Sequence, residues 1–203
     1  MTDFGLPGIV RDEVEPEMDN AKSRLIFALV QGALSEDSFI AQFGVNPRTT
    51  PDIVRIELEQ AFSERSAESV ECALVLGFRF GLSRKWAPLL CRLMEEDWHH
   101  SHEDIAEALQ DIRVPSTVDC LYRSALRKHD YLAYNDSEAL AGKCIWALHD
   151  IGTSEAVEKL LSQSASALIR ERALERLSAL ATRRPGDPEP AYRRARDAGV
   201  RSD

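Results

Sequence analysis

Positive charge is scarce in this chain: 25 Lys and Arg stand against 34 Asp and Glu, leaving −9 at pH 7 and a pI near 5.1. Nonspecific nucleic-acid binding relies on cations displacing counterions, so this balance argues against it and permits attraction to a basic protein. Long apolar runs are missing too; stretches such as Leu25 to Val30 fall far short of the roughly 20 residues that span a bilayer. The opening Met1-Thr2-Asp3-Phe4-Gly5-Leu6-Pro7 has no basic segment followed by an apolar one, which is not the pattern of a signal peptide. No two of Cys72, Cys91, Cys120 and Cys144 form a CxxC pair, and each lies in an apolar helical stretch. Buried, reduced thiols and a cytoplasmic location are therefore expected. A Gly-x-Ser-x-Gly elbow and a glycine-rich phosphate loop are both absent. No catalytic residue and no cofactor is assigned. Aromatics are only 7%, while apolar residues reach 44% with Ala and Leu prominent, a composition suited to closely packed helices.

What the chain does contain is an internal copy. Ala108-Leu109-Gln110-Asp111-Ile112-Arg113-Val114-Pro115-Ser116-Thr117-Val118-Asp119-Cys120-Leu121 aligns without a gap on the segment from Ala147 to Leu160, thirty-nine residues later. Six of the fourteen positions are identical, where composition alone gives about one. Self-similarity at such a period marks stacked repeats, whose units each cover the apolar face of the next.

Four segments follow from the pattern. Residues 1–18 carry Pro, Gly and Asp12, Glu13, Glu15 and Glu17, and read as an acidic flexible arm. Residues 19–65 read as an N-terminal helical cap. Leu25, Ile26, Leu29 and Val30 stripe its first helix, Ser35 caps a second that carries Phe39, Ile40 and Phe43 to Gly44, and Thr50-Pro51-Asp52 starts a third. That third helix is expected to turn Ile53, Ile56, Leu58, Ala61 and Phe62 inward. Residues 66–182 form the repeat array. Unit one has Val70, Ala73, Leu74, Gly77 and Phe80 on its first helix and Trp86, Leu89, Leu90 and Leu93 on its second. Unit two runs from about Ser101 to Lys128, unit three from about Asp136 to Ser162, and a closing helix from Ala167 to Leu180. Residues 183–203 are an Arg- and Pro-rich mobile tail.

An Ala-Leu-x-Asp-Ile-Gly helix end, a short turn and then Ala-Val-x-x-Leu resembles a HEAT-type repeat, closest to the bacterial HEAT-like repeats first named for phycobilisome lyases. The resemblance covers residues 66–180 and implies a right-handed α-solenoid of helical hairpins in an all-α fold, usually with a binding role. One position tests the register. Gly152 suits the left-handed residue that ends a helix, whereas unit two has Arg113 there with Pro115 shortly after, so a slightly different turn is expected in unit two.

The residues best able to do chemistry are Asp97-Trp98-His99-His100-Ser101-His102-Glu103-Asp104. Three histidines and three carboxylates in eight residues are donors that zinc or iron accepts. His102-Glu103 before Ile105, Ala106, Ala108 and Leu109 is similar to the His-Glu pairs of deoxyhypusine hydroxylase, a HEAT-type di-iron enzyme. That family uses several such pairs on successive repeats; here there is one, and the equivalent positions Ala141 and Gly142 cannot ligate, so no metal is assigned. A plainer reading makes Ser101 the cap of a helix with Asp104 at its third position.

Repeat geometry offers a third reading. Equivalent connectors leave a solenoid along one edge, about 10 Å apart at ordinary helix spacing. That would gather Asp97, Trp98, His99, His100 and His102 with His129, Tyr131, Tyr134 and Asp136 as a partner-binding patch, Trp and Tyr being common at interface hot spots. Arg123, Arg127 and Lys128 form a basic strip read as a solvated face. The HEAT-like DNA glycosylases share the implied architecture but need a basic concave surface. The function expected is non-catalytic binding of a basic protein, as by an immunity protein, antitoxin or adaptor. A metal-dependent or chromophore lyase-like HEAT-type enzyme is the alternative.

Overall fold

The computed structural model describes residues 20–135 and 138–161, together with the helical positions Ala167, Glu171, Leu174 and Ser178. The acidic arm, the tail, Asp136 and the apolar face expected of the closing helix (Leu168, Ile169, Ala173, Leu177, Leu180) lie outside the described residues. What is described is all helical, with no strand: α1 (Asn20–Val30), α2 (Glu36–Phe43), α3 (Asp52–Glu64), α4 (Ala67–Phe80), α5 (Ala87–Leu93), α6 (His102–Ile112), α7 (Val118–Leu126), α8 (Glu138–Ile151) and α9 (Ser154–Leu161). Short 3₁₀ turns at Arg84–Trp86, Pro115–Thr117 and Asp130–Asn135 lead into α5, α7 and α8. No helix among the described residues is long and apolar enough to cross a membrane.

Local chemistry accounts for most boundaries. Ser35 accepts a hydrogen bond from the Ser38 amide and Gly44 ends α2 at φ 79. Ser66 caps α4 in the same way through the Ser69 amide, and Thr153 Oγ1 accepts from the Ala156 amide at the start of α9. Each satisfies a helix-end N–H that the helix itself leaves open. Ser101 does stand at the cap position of α6, but its side chain makes no capping bond. The turn test also resolves against expectation: Arg113 takes φ 49 and ψ 51, the same left-handed exit as Gly152 at φ 68. Unit two thus carries a side chain in a conformation that costs about 1 kcal/mol, and the turns diverge only afterwards, where Pro115 opens a 3₁₀ turn.

The helices pack α1 on α2 and α4, α3 on α4 and α5, α5 on α6, α4 on α6, α6 and α7 on α8, and α9 on α7 and α8. In unit one every apolar residue expected inside is buried, from Val70 to Leu93. Trp86 fits there because Gly77 presents no side chain; a Cβ on Gly77 would meet Leu82 at 3.0 Å and the indole at 3.1 Å. Two expectations fail in the cap. Val30 and Ile56 are exposed, while Ile26, Leu29, Val54 and Leu58 are buried, so the covered faces of α1 and α3 are rotated from the stripes read in the sequence. The four cysteines are free thiols, with Cys91 half-buried and the others buried.

Candidate functional site

The connector between α5 and α6 and the segment after α7 meet in direct contact rather than one repeat apart. His102 opens α6, and its ring lies 3.9 Å from that of His129 and 4.4 Å from that of His99, centroid to centroid. His100 stacks on Tyr131 at 4.5 Å, and Trp98 meets His99 edge-on at 4.9 Å. Leu132, buried, anchors the 3₁₀ turn that carries Tyr131.

The hydrogen bonds fix how these rings are protonated. His102 Nε2 lies 2.8 Å from the Glu96 carbonyl oxygen, which can only accept. Nε2 therefore carries the proton, and Nδ1 accepts from the Tyr131 hydroxyl at 2.9 Å. His99 repeats the arrangement: Nε2 donates to the Leu93 carbonyl at 2.9 Å, and Nδ1 accepts from the Ser101 amide at 3.2 Å. Both rings are neutral and both are completely buried. Removal from water holds His102 down to about pKa 3, with the neighbouring His99 and His129 adding to the effect. Burial lowers His99 too, and lowers His129 with help from the adjacent Arg127.

This geometry decides what the cluster can do. A neutral imidazole has one lone pair for a metal, and in His99 and His102 it is already occupied. Among the described residues no group of three or more His, Cys, Asp or Glu is arranged to hold a metal ion. The histidines join two connectors to each other.

The outer side is charged and aromatic. Asp97 is exposed and pairs with Arg127 at 2.6 Å and with His129 Nδ1 at 3.3 Å. Arg127 also donates to the Glu95 carbonyl at 2.6 Å, and Arg123 pairs with the Glu95 carboxylate. Arg123 and Arg127 of the basic strip are thus engaged by the acids of the preceding connector. Trp98, half-buried, donates to Glu96 at 2.8 Å and packs edge-on against Phe62.

Of the residues expected at this edge, Asp97 and His100 are exposed, Trp98 and Tyr131 half-buried, and His99, His102 and His129 buried. Tyr134 lies in the 3₁₀ turn, with its side chain, like all of Asp136, outside the described residues. Glu95 and Glu96 belong to the edge and went unread in the sequence, though a run of acids beside Trp98 was there to be seen; Phe62, read only as an inward residue of α3, also reaches it. Compared with known proteins, the chain matches no family model, no curated protein and no solved structure.

Proposed function

We propose that the protein is a non-catalytic binding module, a right-handed stack of HEAT-like hairpins that masks a basic protein partner in the cytoplasm, as an immunity protein, antitoxin or adaptor does. The packing of α4 on α6 and α6 on α8, with α9 against α7, supports a stacked arrangement. The observation that carries the reading is the outer side of the connector edge. Asp97 and Glu95 are exposed there, paired on one side with Arg127 and Arg123, beside the half-buried aromatic surfaces of Trp98 and Tyr131, on a chain of net charge −9. Apolar anchors ringed by acids suit a partner whose own surface is basic.

The enzymatic alternatives draw less support. A metal-dependent activity at this edge would need imidazole lone pairs that Tyr131 and the Ser101 amide already use. A DNA glycosylase would need cations that here are paired with Glu95 and Asp97.

The test is association of the full chain with the protein encoded beside it, followed at increasing salt. A basic partner, an association rate that falls steeply with ionic strength, and a rate lowered about tenfold by Asp97→Lys are expected. Recovery of acidic partners only, or a rate indifferent to salt and to Asp97→Lys, sinks the reading.

A further inference from the structure

One side of α7 is held against the last turn of α5 and the connector that follows it. Cys120 and Arg123 stand three residues apart on α7, and Arg127 follows at its end, a spacing that puts all three on one face. Arg123 pairs with Glu95, and Arg127 with Asp97 at 2.6 Å. In the same seam the Cys120 thiol donates to the Cys91 carbonyl oxygen at 3.9 Å, across twenty-nine residues of chain. The two ion pairs fix the register in which these cysteines meet.

The pair is unequal. Cys91, in the last turn of α5, is half-buried, whereas Cys120 is 5% exposed. An oxidant arriving from water therefore meets Cys91 first. The hydrogen-bonded side chain of Cys91 and then burial push the Cys120 thiol up, so Cys120 stays protonated behind its neighbour. The remaining cysteines are placed differently. Cys144 is completely buried, and burial pushes its thiol up as well. Cys72 is buried on α4, where its thiol donates to Ser23 Oγ at 3.7 Å.

We propose that Cys91 and Cys120 form a reversible disulfide across the α5–α7 seam when the chain meets a hydroperoxide. An accessible thiol with a second thiol directly behind it is the arrangement of a redox-responsive pair. The Cys91 thiolate attacks the peroxide; its sulfur gains an oxygen as the O–O bond breaks, and water or an alcohol leaves with a proton from solvent. Cys91 is then a sulfenic acid. The Cys120 sulfur attacks the Cys91 sulfur, the S–O bond breaks, and the hydroxyl departs as water with the Cys120 proton. The two thiols lose two electrons, which the peroxide accepts. The bond ties unit one to unit two at the foot of the connector edge. No partner protein enters the argument, so it stands apart from the binding role proposed for that edge.

The experiment treats the folded full chain with a small excess of hydrogen peroxide at pH 7.5, blocks free thiols with iodoacetamide and digests with trypsin without reduction. Each cysteine falls in its own tryptic peptide, with Cys91 in residues 86–92 and Cys120 in residues 114–123. The expected product is a monomer two hydrogens lighter, with those two peptides joined and Cys72 and Cys144 alkylated. Dithiothreitol should restore all four thiols. In Cys120→Ser the sulfenic acid should persist and be trapped on Cys91 by dimedone. Sulfinic acid on Cys91 of the unmutated chain without a cross-link, a disulfide-linked dimer, or joining of Cys120 to Cys144 each overturns the proposal. So does the same mixture of pairings from folded chain and from chain unfolded in urea, because the selectivity would then owe nothing to the seam.

Discussion

The connector edge and the open groove on α6 and α8, lined by Gln110, Glu138 and Trp146 among others, are both rich in polar residues, and they differ in how the fold satisfies them. At the connectors, four ring nitrogens of His99 and His102 are matched one to one with Leu93, Ser101, Glu96 and Tyr131. Along the groove, the buried Gln110 amide donates to the Asp150 carboxylate, which His149 also holds. Chemically able residue types therefore do not identify a site by themselves. The cluster around His99, His102 and His129 is a joint, with the ring nitrogens of His99 and His102 already bonded.

Acid is the strongest way to break the comparison. His102 has a folded pKa of about 3 against 6.5 for a free imidazole, so between those values the unfolded chain takes up a proton that the folded chain refuses. Stability from this ring is fully present above pH 6.5 and is lost as pH falls from there toward 3; His99 and His129, also depressed, act with the same sign. At about 1.4 kcal/mol per unit of depression, the loss reaches several kcal/mol. Urea midpoints measured from pH 7.5 to 4 should show it, and a flat profile would mean the rings titrate freely.

Breaking the joint at neutral pH comes next. His102→Ala should cost about 3 kcal/mol, because it opens a cavity and removes the acceptor of the Tyr131 hydroxyl bond. It should also flatten the acid limb of the midpoint profile. Tyr131→Phe removes the bond to His102 Nδ1 and should cost about 1–2 kcal/mol. A smaller effect compares the two repeat turns. Gly152→Ala should cost about 1 kcal/mol, the penalty Arg113 already bears, and Arg113→Gly should recover part of it. Both are read as shifts in urea midpoint. Smallest of all, Glu138→Gln in the groove should move stability by less than about 0.5 kcal/mol, because the groove is open to water. A loss above 2 kcal/mol would make Glu138 part of the scaffold and remove the contrast with the connectors.

Much of the helix layout was legible in local sequence. Ser35, Gly44 and Gly152 mark helix ends, and the apolar residues of α4 and α5 are buried as their spacing implies. Val30 and Ile56 misled because an apolar stripe shows that a helix has a covered face without showing how far the neighbour covers it. The connector residues were found by their chemistry; repeat logic put them along one edge about 10 Å apart, and the structure brings them into direct contact. Their burial was not legible, since it depends on Tyr131 reaching back twenty-nine residues to His102.

Sequence alone determined that the chain is helical, where most helices begin and end, and that one segment is copied thirty-nine residues on. Those properties arise from interactions within a few residues, or from residue identities that can be aligned directly. Tertiary structure decided which polar groups are satisfied and by which partners. A hydrogen bond such as Gln110 to Asp150 joins residues forty apart whose partnership neither local propensity nor periodicity encodes. Distance in sequence is likewise why the bond from Tyr131 to His102 is visible only in the folded chain.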